Sequence, residues 1–473
     1  MPTGNSSILT SFGESLAATN DTLVVGAPSW SVDGVRTGAV FLFDRSTGLE
    51  RARIHPTGAA SGDNFGQSVA VAGNLLFVGA SSSDMFGDGS GAVFVYELDS
   101  RSLVTVLAGQ DTDGGDQFGR SLAVSGDTLV VGARWAADLL GAVYLFDTQT
   151  LTQQRVFRGL VSVGSGFGYS VALDNNLLVV GAPFDSSLVN SGGACFVFDR
   201  LSGNLLATLR LELVTASDTF GVSVAIDSAT VFVGAPGDDD ADRDAGAVWR
   251  FSGPAWQQAD AIFSPLPTEF GRFGSRLTIG AGGLLVAASG EEFPPADSGA
   301  VYLYDLDRSE PIFRLVSSGG ATSSERLSGG LLLDGSRIYV ATDPYAALLS
   351  FTPPLVAESP RSTIAGPMPE AVSFRVWPVL PDAPSYQWRH DGMNLYDGGG
   401  IEGSGTPTLT IIAGPDDIGR YDCVLTAGDQ TEISGSAVLG FRPNPCPSDI
   451  NMDGQLTFFD VTAYLAEFNR GCP

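Results

Sequence analysis

Between residues 65 and 80 the chain reads FGQSVAVAGNLLFVGA. Polar and apolar positions alternate through SVAVA, a short AGN turn follows, and LLFVGA is apolar throughout. The alternation predicts a strand with one covered face, and the unbroken run predicts a strand covered on both. Downstream, GAVFVYE and SLVTVLA complete a set of four short strands. The phrase starts again at residues 12, 118, 167 and 220, more weakly at 273, and as LSGGLLLDGSRIYVAT at 327, where Leu327 replaces the phenylalanine. Successive starts are 53, 53, 49, 53, 53 and 54 residues apart. A step this regular predicts copies of one supersecondary unit. A lone four-stranded sheet leaves apolar faces in water, so the copies must stack, and radial stacking leaves only short edges exposed. The expected fold is all-β, with a seven-bladed β-propeller over residues 1–353; a linear solenoid is the alternative.

The landmarks of each copy are the leading Phe-Gly and the closing Gly-Ala, extended to Gly-Ala-Pro at residues 26–28, 181–183 and 234–236. On these residues the chain resembles the FG-GAP repeats of the integrin α-subunit propeller, from about residue 12 to residue 350. Integrin-type repeats often carry an Asp-rich calcium loop between the first and second strands. Here that connection is AGN or SGD, too short to surround a cation with six or more oxygens, so no calcium is expected in the propeller. The glycines are read as sites of close backbone approach and the phenylalanines as packing between blades. Cys195 stands where other copies have Val40, Val93, Val143, Val248 and Val301, which makes it a small core residue.

In an antiparallel blade the 2–3 and 4–1 connections emerge at one end, and here those are the long, variable ones. Variable loops on a rigid scaffold are where binding residues concentrate. Six of the seven 2–3 loops carry a ring: Trp30, Phe86, Trp135, Phe184, Phe293 and Tyr345. Such rings suit stacking on sugars or anchoring a protein; the alternative is that they fold down onto the blade edge. The loop GDDDADRDAG, with Asp238, Asp239, Asp240, Asp242 and Asp244, fits no defined calcium spacing and reads as a solvated acidic turn. No two carboxylates on this face are framed as a glycosidase acid and base.

From residue 354 to 442 the pattern changes. YQWRHDG places Trp388 on a strand, and Asp417, Gly419, Tyr421 and Cys423 match the Asp-x-Gly-x-Tyr-x-Cys signature of immunoglobulin-like domains, which this segment resembles. The resemblance implies a tyrosine corner and a cysteine facing the other sheet. The partner position is Phe374, so the usual disulfide is expected to be absent and Trp388 to pack on Phe374 and a free Cys423.

Residues 443–473 form a third segment. DINMDGQLTFFD puts Asp449, Asn451, Asp453, Gln455, Thr457 and Asp460 at positions 1, 3, 5, 7, 9 and 12 of an EF-hand-like loop, with Gly454 at the sharp turn. An amphipathic stretch, FFDVTAYLAEFNR, follows. The segment resembles one half of a dockerin, which implies calcium as cofactor and a cohesin-like partner; dockerins normally have two such loops. Cys446 and Cys472 bracket it, and a disulfide between them would staple a unit too small to own a core and imply an oxidising, extracellular setting.

Charge and composition narrow the function. All 25 basic residues are arginines, set against 53 acids for a net charge of −28, which disfavours nucleic acid and anionic membranes as partners. Two histidines, His55 and His390, leave little for a histidine-ligated metal or a Ser-His-Asp centre. No apolar run is long enough to span a bilayer, and residues 1–25 lack the pattern of a signal peptide, so the recorded start is expected to lie inside a longer secreted precursor. The expected function is a secreted or cell-surface, non-enzymatic binding or adhesion protein, its propeller taking a protein or glycan ligand and its tail anchored through calcium. A carbohydrate-active enzyme or lectin, and a purely structural surface-array component, are the alternatives.

Overall fold

The second strand of each repeat is made of apolar and small residues because it lies inside a sheet with neighbours on both sides. In the computed structural model the valine before each closing Gly-Ala or Ala-Ala pair (Val25, Val78, Val131, Val180, Val233, Val286) is fully buried. The structure describes residues 11–441 except 57–59, 160, 254–255, 281–282, 294–295, 298, 307–310, 317–328, 335–336, 343–346, 352–355, 359–362, 366–369, 379–383, 414–416, 418, 428–429 and 435–436. The chain divides into two compact units, Met1–Pro353 and Pro354–Pro473.

In the first unit, strands Phe65–Ala72, Leu75–Ala80, Ala92–Glu97 and Leu103–Leu107 pair antiparallel in chain order. The same order recurs in five further four-stranded sheets, within residues 15–54, 118–158, 170–209, 223–263 and 273–316. A seventh sheet has three described strands, Leu331–Asp334, Arg337–Thr342 and Ala347–Phe351. The first strands of consecutive sheets lie side by side, and the first strand of the seventh also touches that of the first. There Gly330 donates its N–H to the Gly13 carbonyl at 2.5 Å, and Arg45 pairs with Asp334 at 2.7 Å. This all-β architecture of repeated four-stranded sheets fits a propeller.

One contact recurs between sheets. The serine two residues after Phe-Gly lies in register opposite the closing glycine: Ser15 faces Gly26, Ser68 Gly79, Ser121 Gly132, Ser170 Gly181 and Ser223 Gly234. Each serine hydroxyl donates to the carbonyl of the next sheet's Phe-Gly glycine, at 2.7–2.9 Å. A Cβ on any of the five closing glycines would lie 2.0–2.2 Å from that carbonyl oxygen and 2.2–2.3 Å from the serine Oγ. No side chain fits there. The Phe-Gly glycine itself has φ between +86° and +97° at Gly66, Gly119, Gly168, Gly221 and Gly274, a region that costs other residues steric strain.

The phenylalanine beside that glycine is buried and sits edge-on to a ring on its own third strand, from Phe12–Phe41 at 5.2 Å to Phe220–Phe251 at 5.8 Å. Phe65 shares a cluster with Val24 and Val40 of the preceding sheet, and Phe118 with Phe77 and Val95. Cys195 is fully buried in such a cluster, and desolvation pushes its thiol pKa well up.

The second unit is a sandwich. One sheet runs Thr363–Ala365, Ala437–Phe441, Gly419–Ala427, Ser385–His390, Met393–Asn394, with Gln430–Ile433 also pairing Gly419–Ala427; the other is Glu370–Arg375, Thr408–Ala413, Ile401–Glu402. Phe374, Leu409 and Ile411 from the second sheet share one core with Trp388, Tyr421, Cys423 and Leu425 from the first. Phe374 stacks on Tyr421 at 4.6 Å and lies 6.4 Å from Trp388, and Cys423 is a buried free thiol. The Tyr421 hydroxyl donates to the Asp417 carbonyl at 2.7 Å, and the His390 ring stacks on Tyr421 at 4.6 Å.

Candidate functional site

Two sets of positions meet at the end of the first unit where the 2–3 and 4–1 loops emerge. The first is the residue following Phe-Gly. Glu14, Gln67, Arg120, Tyr169, Val222 and Ser275 hold this place in six sheets, and all of them line one cavity of about 590 Å³. The preceding glycine is fixed by packing in all six and the following serine in five, whereas this place changes from sheet to sheet. The second set is the loop that leaves the closing Gly-Ala.

That loop has its own register. The third residue beyond the pair is Trp30, Ser83, Ala136, Asp185, Asp238 or Glu291, and every one is buried. In five of the six its backbone N–H donates to the alanine carbonyl of the pair (Ala27, Ala80, Ala182, Ala235, Ala288), a tight turn that tucks the side chain under the loop. The second residue, Ser29, Ser82, Trp135, Phe184, Gly237 or Gly290, lies one place nearer the strand. Trp30 and Trp135 therefore differ by one position and have different fates. Trp30 is 5 % exposed, packed edge-on against Phe41 at 4.9 Å, and this corrects its expected place on the ligand face. Trp135 and Phe184 stay half-buried and stack on each other, with ring centres 6.3 Å apart and planes at 21°.

Around this pair the third and fourth sheets gather more groups. Tyr169 meets Phe184 edge-on at 5.5 Å. The Arg134 guanidinium lies 5.0 Å from the Trp135 ring centre and 5.5 Å from that of Tyr169, while Arg120 lies 4.5 Å from Tyr169. Arg134 Nε donates to Gln117 Oε1 at 2.6 Å. Three residues after Trp135, namely Ala137, Asp138 and Leu139, have φ of 55°, 58° and 68°, a left-handed turn of non-glycine residues. Across the cavity, Glu14 accepts from Arg276 at 2.7 Å and from Gln67 at 3.3 Å.

The buried carboxylates are loop staples. Asp63, Asp116 and Asp218, each two residues before a phenylalanine, accept the backbone N–H of Ala60, Asp113 and Thr215 at 3.0, 2.8 and 2.7 Å; burial raises all three pKa values. Asp185 pairs with Arg210 at 2.8 Å, and Glu291 binds Ser264, Tyr302 and Arg314 at 2.5–2.7 Å. Asp238 accepts from Trp249 Nε1 and from the Asp240 N–H, both at 3.0 Å, and burial pushes its pKa up to about 6. Asp239, Asp240 and Asp242 on that loop are exposed, and Asp239 accepts the Asp244 N–H. Among the described residues no group of three or more His, Cys, Asp or Glu side chains could hold a metal ion.

Of the other expected residues, Phe86 is 44 % exposed on the second sheet's loop. The Phe293 side chain, Tyr345, Cys446, Cys472 and the loop residues Asp449, Asn451, Asp453, Gln455, Thr457 and Asp460 lie outside the described residues. Sequence reasoning missed Arg120, Arg134 and Tyr169. The signal was available: aligning the copies place by place shows that only the third and fourth sheets put charge and rings together there.

Fold and site together define a β-sheet repeat protein with one variable loop face. The FG-GAP repeat family matches four segments of the chain, residues 49–96, 102–146, 161–198 and 214–251. No curated protein sequence matches it. Solved structures similar to part of the chain include tandem Ig repeats of Dlar, 15 % identical over 22 % of this chain and 61 % of that one, with a TM-score of 0.18. A chimeric titin Z1Z2 functionalized with a KLER exogenous peptide from decorin is 20 % identical over 18 % of this chain and 92 % of that one, with a TM-score of 0.16. No helix among the described residues is long and apolar enough to cross a membrane.

The two tryptophans give a direct check of this register. Trp30→Ala empties a core site and should cost about 3 kcal/mol in urea unfolding, whereas Trp135→Ala should cost less than about 1 kcal/mol. Equal losses would mean that the two rings do not occupy different environments.

Proposed function

We propose that the chain is a secreted or cell-surface, non-enzymatic binding protein: a closed seven-bladed propeller that recognises a ligand, an immunoglobulin-like spacer, and a calcium-dependent tail. The observation that carries this reading is the asymmetry of the loop face. A scaffold that puts serine or glycine at the second loop place in four sheets places Trp135 and Phe184 there in the third and fourth, beside Tyr169. Packing between sheets does not require rings at that place. Half-buried rings at a loop face are suited to holding a sugar or a protein segment. Among the described residues the buried carboxylates Asp238, Asp185 and Glu291 are already engaged by Trp249, Arg210 and Ser264, which favours binding over hydrolysis.

Screening the full chain against glycan and protein arrays, with product analysis of every hit, tests this reading. The expected result is at least one ligand bound without turnover and weakened about tenfold or more by Trp135→Ala, with an unchanged melting curve. Product formation, or a ligand indifferent to Trp135→Ala, would overturn it.

In the tail, three side-chain carboxylates, Asp449, Asp453 and Asp460, fall within twelve residues and repel one another without a cation. With Asn451, Gln455 and Thr457 they supply the hard oxygen donors that calcium takes, and ion binding would order the amphipathic stretch that follows for a cohesin-like partner. In this reading a disulfide between Cys446 and Cys472 would close the segment. Calorimetric titration of the full chain should show calcium uptake at a Kd below about 1 mM, lost in Asp449→Ala/Asp453→Ala. A parent chain that takes up no calcium in that range contradicts the anchor.

A further inference from the structure

The cavity at the loop face is basic in a chain of net charge −28. Its charged lining is Arg120, Arg272 and Arg276 against one carboxylate, Glu14, and Arg276 already pairs with that carboxylate at 2.7 Å. Arg120 and Arg134 both lie within 5.5 Å of the Tyr169 ring centre, and neither forms an ion pair with a carboxylate among the described residues. Burial and the like charge of Arg120 lower the pKa of Arg134, so the pair is held together at an electrostatic cost. The scaffold does not demand it. In the other sheets the place of Arg120 holds Glu14, Gln67, Tyr169, Val222 or Ser275, and that of Arg134 holds Pro28, Ser81, Pro183, Pro236 or Ser289. With 53 acids for 25 arginines, two neighbouring guanidiniums with no carboxylate paired to them among the described residues mark a place kept for an anion from outside.

We propose that Arg120 and Arg134 receive the carboxylate of an acidic sugar, whose pyranose ring lies against the stacked Trp135 and Phe184. This assignment rests on the reading of the loop face as a ligand face. The surrounding charge selects the kind of anion: a chain at −28 repels polyanions of high charge density, and isolated carboxylates on a ring suffer this least. The aromatic shelf selects the rest of the molecule, since an aromatic face stacks on the apolar C–H face of a pyranose. Arg120 and Tyr169 also line the cavity of about 590 Å³, which gives further residues of an oligosaccharide room beside the rings. An acidic peptide would satisfy the arginines but has no use for a flat shelf beside them.

The test titrates the full chain, by calorimetry and tryptophan fluorescence, with trimers of galacturonate and of mannuronate, their methyl esters, and a glutamate-rich peptide. At least one acid trimer should bind, and its methyl ester at least about tenfold more weakly, since the ester loses the charge but keeps the ring. Arg120→Gln and Arg134→Gln should each weaken the acid trimer by a similar factor, with melting curves unmoved, and added salt should weaken it further. Equal binding of acid and ester, binding of the peptide alone, or no binding by either acid trimer overturns the proposal. If the arrays instead return a neutral ligand that Trp135→Ala weakens, the ligand face stands and the anion assignment falls. An array ligand indifferent to Trp135→Ala removes both.

Discussion

Wherever a closing glycine meets the next sheet's Phe-Gly, two glycines and a serine share a space that has no room for one more carbon. The serine hydroxyl bridges the sheets through the glycine carbonyl, and the missing Cβ lets the backbones approach closely enough for that bond to form. The chain itself shows how the parts depend on each other. Five sheets have serine opposite glycine; in the sixth Arg276 stands opposite Ala287, and in the seventh Gly330 opposite Ala341. A Cβ is present only where the serine hydroxyl is gone. The phenylalanine then fills the wedge between neighbouring sheets, so packing, hydrogen bonding and backbone conformation all agree on one inter-sheet geometry.

That agreement leaves some places free. The residue between Phe-Gly and serine touches neither the glycine contact nor the phenylalanine wedge, and it opens on the cavity. The second loop residue sits beyond the closing pair and before the buried third place. These are the positions that can change chemistry without disturbing the stack, and in the third and fourth sheets they hold Arg120, Tyr169, Trp135 and Phe184. A rigid frame with a few unconstrained places is how one repeated scaffold acquires a local, asymmetric face.

Much of the frame was legible in the sequence because its rules are local and repeated. The alternating and unbroken apolar runs fall on strands, Cys195 is a core residue, and Phe374, Trp388, Tyr421 and Cys423 meet in the sandwich as the immunoglobulin-like resemblance implied. The site was less legible. Trp30 and Trp135 look alike in a list of loop rings, yet a single turn hydrogen bond, Trp30 N–H to the Ala27 carbonyl, buries one of them. Arg120 and Tyr169 come from different repeats, 49 residues apart, and only the stacking of sheets brings them to 4.5 Å. Local pattern reports which face a side chain takes within a strand, but not which side chains of neighbouring repeats converge.

The glycine–serine contact is most directly tested at the junction of the third and fourth sheets, by urea unfolding of Ser121→Gly, Gly132→Ala and the double variant. Gly132→Ala should cost about 3 kcal/mol by overpacking against Ser121 Oγ and the Gly168 carbonyl, and Ser121→Gly about 1–2 kcal/mol through the lost hydrogen bond and added chain freedom. The double variant, which reproduces the pairing of Gly330 with Ala341, should lose about 1 kcal/mol less than the two single losses combined. Additive losses, or a Gly132→Ala protein within about 0.5 kcal/mol of the parent, would contradict the dependence of the stack on this contact.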